Sequence, residues 1–240
     1  MEKSFISVKE KLKKCLNRLK QLNTPTKVCK ICFSEFPVST LGDFINESYI
    51  CPKWKRKLEP KFIKFKVNGY DALGIYEYDE ELKKLIFQFK GCDDYELYPV
   101  FLAHFKNVLK ILYHNYTLVR IPSFEEDDKK RGYNHVEKMF SVLNLEKKDI
   151  LFKTEHHKQS DQTFNGRKEI KKYIKLKDKT SLENKKILIV DDICTTGSTL
   201  RVASELIKTL KPKEIKILVV EKRVFSKEEL EHLGKNIEVI

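Results

Sequence analysis

Apolar residues recur along this chain in two rhythms. Phe5, Val8, Leu12, Leu16, Leu19 and Leu22 fall at steps of three and four with lysines between them, the spacing of a basic amphipathic helix ended before Pro25. Such a helix packs on the body of the protein, lies on a membrane surface or touches nucleic acid. From residue 62 the rhythm becomes alternation, and Asn68-Gly69 between two alternating stretches predicts a hairpin over residues 62–78. Helical spacing returns at 80–89, with Leu82, Leu85, Ile86 and Phe89 on one face, and again at 98–113 and 134–143. Strands are predicted at 117–121, near 150–152, at 187–190 and at 215–220, the last two joined by a helix over 198–210. Strands alternating with helices give an α/β class with a parallel, doubly wound sheet whose ligands sit at its carboxyl edge.

The chemistry concentrates where strand 187–190 ends. Asp191 and Asp192 follow the apolar run, and then come Thr195, Thr196, Gly197, Ser198 and Thr199 before a helical pattern. Gly197 lets backbone N–H groups close on a ligand, Ser198 is a candidate N-cap, and a helix N-terminus with converging N–H groups makes an anion site. Two carboxylates beside it suit vicinal hydroxyls or a cation. A sugar phosphate satisfies both halves. The loop has no lysine between Asp192 and Leu200 and only one glycine, which excludes the nucleoside-triphosphate P-loop and the dinucleotide fingerprint.

Charge divides the chain into two parts. Of the net +13, residues 1–66 carry 16 Lys/Arg against 6 Asp/Glu. A field so concentrated fits a polyanion such as nucleic acid or an anionic membrane surface, or a solvated lysine-rich face. Within it lie Cys29, Cys32 and Cys51. The first two have zinc-knuckle spacing, but Trp54 stands where a fourth cysteine would complete the set. Trp54 among Lys53, Lys55, Arg56 and Lys57 can stack on an unpaired base while the cations hold phosphates, or plug the core of the module. Six irregularly spaced cysteines in 240 residues do not form a disulfide scaffold, and no apolar run is long enough for a membrane span or a signal peptide. A cytoplasmic location is expected.

Residues 190–199 resemble the phosphoribosyl-pyrophosphate (PRPP) loop of type I phosphoribosyltransferases. The order of parts resembles the ComF-type competence proteins, in which a cysteine module precedes such a domain. The resemblance implies a basic, degenerate zinc-finger-like module over 1–60 and a phosphoribosyltransferase-like domain, a parallel sheet flanked by helices, over 61–240. It implies that Asp191 and Asp192 bind the ribose hydroxyls and Thr195 to Thr199 the 5-phosphate, with Mg²⁺ accompanying PRPP. It places Gly91 at the pyrophosphate. The family's lysine falls on Gln88, so Lys90 is taken in its stead for charge and position. Pro122 followed by Arg131-Gly132-Tyr133-Asn134-His135 is similar to a family loop that closes over the site, and Arg131 suits a diphosphate. The acids Glu125 to Asp128 in that loop either face solvent or help hold magnesium. A third family block keeps Gln159 and Arg167 but has Ile170 for asparagine.

The function expected from this is a protein of DNA uptake that binds single-stranded DNA through its basic module and PRPP or a related sugar phosphate at its loop. It would be peripheral to the inner membrane and its uptake machinery, with Zn²⁺ on Cys29, Cys32 and Cys51. A salvage phosphoribosyltransferase of unknown acceptor and a non-catalytic PRPP sensor are the alternatives. Thr195 occupies the position where purine enzymes carry an aspartate, and no general base stands out.

Overall fold

Asn68 and Gly69 both take left-handed backbone angles, φ 54° and φ 80°, which turn strand β3 (Ile63–Val67) back onto β4 (Tyr70–Glu77) through a two-residue loop. The computed structural model describes residues 26–38, 48–154 and 173–225. The amphipathic segment 5–22, the histidines His156 and His157 and the Gln159–Arg167 block lie outside them.

The main sheet has five strands in the order β3-β4-β9-β8-β5, with β5 at Tyr116–Arg120, β8 at Lys186–Cys194 and β9 at Glu214–Lys222. Only the β3-β4 hairpin is antiparallel; β4, β9, β8 and β5 run parallel. Alternation along β8 sorts its side chains between two cores. Leu188 and Val190 face a layer containing α2 (Glu80–Gly91), α3 (Tyr98–Leu102), α4 (Lys106–Tyr113) and α6 (His135–Phe140). Ile187 and Ile189 face α7 (Ser198–Lys208) on the opposite side, through Leu200, Ala203 and Ile207. Burial on both faces explains why β8 and β9 read as continuous apolar runs.

Three sequence expectations shift in detail. The helix expected over 98–113 is interrupted by a 3-10 turn at Ala103–Phe105, where Leu102 takes φ −130°. Strand 187–190 continues through the acid pair to Cys194, because its ladder to β9 persists as Asp191↔Val219 and Ile193↔Glu221. The strand near 150 pairs outside the main sheet: β6 (Leu151–Lys153) joins β7 (Ile174–Leu176) in an antiparallel pair.

The cysteine module comprises β1 (Thr26–Val28), β2 (Glu35–Pro37) and the short helix α1 (Pro52–Lys57). Its apolar residues Cys29, Phe36, Ile50, Cys51 and Leu58 belong to the same buried cluster as Leu85, Phe89 and Phe101 of the helix layer. The sequence division at residue 60 therefore crosses a shared core.

Candidate functional site

The acid pair sits at the carboxyl end of β8, the central position from which both neighbouring strands and both helix layers are within reach. Asp192 turns toward the α2/α6 side. Its Oδ2 accepts from Lys90 Nζ at 3.0 Å and lies 3.3 Å from His135 Nε2, while Oδ1 accepts from the Ile193 N–H at 2.8 Å. Burial alone would raise its pKa; Lys90 and then His135 overcome that and hold the carboxyl well below the usual range. Asp191 goes the other way. Burial and the neighbouring Asp192 charge push it well above the usual range. Lys90, beside Asp192, is held above its ordinary value.

Beyond Cys194 the chain turns through Thr195 to Gly197. Gly197 adopts φ +73° and is itself the residue that caps α7, so the N-cap expected at Ser198 falls one residue earlier, with no side-chain bond. A side chain there would be strained by the backbone angle. Ser198 instead exchanges a 2.9 Å hydrogen bond with Thr196 Oγ1. The loop, with Asp191, Ile193 and Cys194, encloses a hollow of about 30 Å³ rich in polar atoms. The first turn of α7 leaves backbone N–H groups without intrahelical acceptors at this hollow.

Lys90 reaches the pair because α2, capped by the Asp79 side chain on Leu82 N at 2.7 Å, ends beside β8. Gln88, at the family's lysine position, is turned to Asp94 instead, with Nε2 donating at 2.9 Å. Gly91 closes the helix and lies under the exposed Phe87 ring, which a Cβ would approach to 3.1 Å. Arg131 departs from expectation. The segment read as a loop is a short helix, α5 (Glu125–Arg131), and the Arg131 side chain is only 12% exposed. Its Nε donates to the Lys90 carbonyl at 2.8 Å, and NH1 bonds Asp128 at 3.1 Å and sits 3.3 Å from His135 Nδ1. Arg131 thus bonds the backbone of Lys90 and the side chain of Asp128 and lies beside His135. Of the helix's acids, Asp128 is turned inward onto Arg131, Ser123 and Asn134, while Glu125 pairs with Lys129.

Residues 129–237 match the model of the phosphoribosyl transferase domain family. Competence protein ComFC of Streptococcus pneumoniae is 29% identical over 148 residues, 62% of this chain and 66% of that protein. Its namesake in Bacillus subtilis is 27% identical over 132 residues, 54% of this chain and 55% of that one. The chain is thus similar to the phosphoribosyl transferase domain family over 129–237 and to the two ComFC competence proteins over just over half its length. The aligned parts span just under two thirds of the first ComFC relative and about half of the second. Among solved structures, a hypoxanthine phosphoribosyltransferase from Staphylococcus aureus aligns at 16% identity with TM-score 0.30, covering 49% of this chain and 71% of that one. A phosphoribosylpyrophosphate synthetase from Mycobacterium smegmatis aligns at 14% with TM-score 0.32, covering 58% and 37%.

The contacts of two residues beside the acid pair escape sequence reasoning. His135 is one; a lone histidine in a helix gives no sign of its target, although its spacing of four from Arg131 puts both on one helical face had the helix been continuous. Glu221 is the other. It is fully buried on β9, in register with Ile193; Oε1 accepts from the Asp79 N–H at 3.1 Å, and Oε2 is buried without a hydrogen-bond partner among the described residues. Burial first, then the charges of Asp79 and Asp192, push it up to about 7.

In the cysteine module, the Sγ atoms of Cys29, Cys32 and Cys51 lie within 4.8 Å of one another, and Cys32 and Cys51 are 3.8 Å apart. That is about the separation of two thiolates on a tetrahedral zinc with Zn–S near 2.3 Å. Hydrogen bonds from Ser34 lower Cys32 to about 6, so a thiolate is available at neutral pH. Trp54 packs half-buried against the shared core, its Nε1 buried without a hydrogen-bond partner among the described residues, and Lys57 lies 4.9 Å over its ring. Lys53, Arg56 and Lys57 are exposed, whereas Lys55 is half-buried and lines an apolar cleft of about 100 Å³ with Ile50, Leu58, Tyr76 and Phe105.

Proposed function

We propose that this chain serves natural competence, binding PRPP or a related sugar phosphate at residues 191–199 and single-stranded DNA at the basic module. The observation that carries the sugar-phosphate half is the juxtaposition at the end of β8. An acid pair already oriented by Lys90 and His135 is followed within a few residues by a left-handed glycine and the start of an eleven-residue helix. The helix N-terminus and threonine hydroxyls receive the 5-phosphate, and the two carboxylates accept hydrogen bonds from the ribose diol. Lys90 balances the diphosphate, and Arg131 and His135 hold Lys90 and Asp192 in place.

Magnesium fits this arrangement as a companion of the diphosphate. Asp192 is occupied by Lys90, His135 and a backbone N–H, so the cation's oxygen ligands come mainly from phosphate and water. Bound there it would neutralise the leaving diphosphate. The protein's own contribution to phosphoribosyl transfer is positioning of the sugar and charge placement around an oxocarbenium-like centre.

The basic module supplies the second partner. Lys53, Arg56 and Lys57 are exposed on one short helix and suit phosphates. Zinc on Cys29, Cys32 and Cys51 would brace it, with the fourth position left to water or a partner. Among the described residues no helix is long and apolar enough to cross a membrane, in keeping with a cytoplasmic protein peripheral to the uptake machinery.

A second reading, PRPP binding without turnover, is favoured by the burial of both carboxyls: Asp192 is bonded to Lys90 and Glu221 is sealed from solvent, so neither is an exposed base. Calorimetry of Mg²⁺-PRPP and of short single-stranded DNA on one sample tests the main reading. Lys53→Ala/Arg56→Ala/Lys57→Ala should lose DNA affinity and about two units of salt slope while PRPP binding persists. Unchanged DNA affinity refutes the DNA half, and absent PRPP binding refutes the site. Pyrophosphate release from bound PRPP decides between turnover and sensing.

A further inference from the structure

The last two residues of β9 diverge. Glu221 lies against the acid-pair network, while Lys222 crosses to the other side, beneath the loop. Lys222 Nζ donates to the Thr195 carbonyl at 3.0 Å and to the Arg223 carbonyl at 2.8 Å. The ammonium sits between the Phe65 and Phe225 rings, 5.2 and 5.7 Å from their centroids. The Arg223 N–H donates to the Cys194 carbonyl at 2.9 Å, so the same turn is tied twice to the end of β8. No carboxylate compensates the charge among the described residues.

The sheet makes room for this side chain at a cost. Gly74 interrupts β4, and a Cβ there would stand 2.7 Å from Lys222 Cβ. Glycine inside a strand weakens it and marks a close approach. Here the approach is the stem of Lys222 passing over the strand. A half-buried ammonium with no acid partner, aimed at the carbonyl that opens an anion loop, asks for an anion on the far side of that loop.

We propose that Lys222 is a positioning residue of the 5-phosphate site: it fixes the Thr195 carbonyl from beneath the loop and sets a positive charge behind the bound phosphate. This rests on the sugar-phosphate reading of residues 191–199. Lys222 does not itself touch the reacting sugar; it acts through the backbone of Thr195 and through its field. Burial holds the ammonium below the ordinary lysine range. The titratable groups facing it are few. From β8 these are the Cys194 thiol, pushed up to about 11, and behind it Asp191; on β4, Glu77 is its register partner. The aromatic neighbours from β3 and the following turn, Phe65 and Phe225, do not ionise.

The test is a titration of the full chain with ribose 5-phosphate, comparing wild type with Lys222→Met and Lys222→Arg across pH. Lys222→Met should weaken binding by roughly tenfold to a hundredfold, and Lys222→Arg should restore most of it. Wild-type affinity should fall on the alkaline side, below the pH at which an ordinary lysine loses its proton, and the arginine variant should hold its affinity there. Equal affinity of wild type and Lys222→Met overturns the inference. So does an alkaline fall in Lys222→Arg matching that of wild type, which keeps the test decisive if Lys222→Met fails to fold. Failure of the wild type to bind ribose 5-phosphate overturns the sugar-phosphate reading and this inference with it. Binding that all three proteins share equally removes this inference alone.

Discussion

The carboxyl edge of the sheet and the cysteine module are both crowded with charge and polar atoms, but only the first arrives with its partners in place. At the edge, Asp192 already holds Lys90 and His135, and Arg131 already holds Lys90, Asp128 and His135. A ligand entering there has little ordering left to do, so its binding energy is not spent on arranging side chains. In the module, three sulfurs converge with no fourth ligand among the described residues, and position 54 is a tryptophan whose N–H is buried without a partner among them. The difference shows how two sites on one chain tolerate change differently. The edge draws its groups from four elements and depends on register. The module shares its buried core with the helix layer.

The strongest way to break this comparison is at Asp192. Asp192→Asn strips the anion from Lys90 and His135 and should weaken ribose 5-phosphate binding by about a hundredfold, on the order of 3 kcal/mol, leaving DNA affinity unchanged in a parallel titration. Equal losses in both titrations would mean that the edge and the module are not separate sites.

Glu221 offers an effect of similar size that appears only with pH. Its folded pKa of about 7 lies above the ordinary 4.5, so between those values the native state keeps a proton that the unfolded chain has released. Stability conferred by the protonated carboxyl is complete below about pH 4.5 and lost as pH rises through about 7, a fall on the order of 3 kcal/mol. Denaturant melts of Glu221→Gln should lack this fall. Parallel curves for the two proteins would show that the buried carboxyl is not the group responsible.

The module is sharpened by a smaller change. Trp54→Cys places a fourth thiol one helical turn after Cys51 and should raise zinc affinity at least roughly tenfold in competition with a chromophoric chelator. The same substitution removes a packed ring and should lower metal-free stability by about 2–4 kcal/mol. Unaltered zinc affinity would indicate that position 54 does not face the three sulfurs.

Much of this architecture is legible in the residues themselves. Asn68-Gly69 announces the hairpin because both positions need left-handed angles, and the alternation of Ile187, Leu188, Ile189 and Val190 marks a strand buried on two faces. The phosphate loop is legible for a similar reason, since its glycine and hydroxyls are local requirements. What escapes is whatever depends on tertiary neighbours. Nothing in Leu102 to Lys106 signals a break, as no proline or glycine is present; the helix layer bends there to follow its packing. Arg131 reads as a ligand by its charge, yet the Lys90 carbonyl forty residues earlier claims it. Glu221 reads as the polar end of a strand, and only the ladder to Ile193 reveals that it is sealed inside.

The position of β9 at the heart of the sheet has a consequence for how the protein comes into being. β4 pairs with β9 across Ala72↔Ile217 and with no other strand of the parallel set, so a ribosome that has delivered the hairpin must hold it unjoined while nearly 150 further residues emerge. Until residues 214–222 clear the exit tunnel, the hairpin and the β5-β8 pair are two fragments with bare edges facing one another. Assembly is therefore a late event with long-range contacts, slow by the usual relation between topology and rate. A chain stopped before residue 214 should be a client for chaperones rather than a smaller version of the same protein.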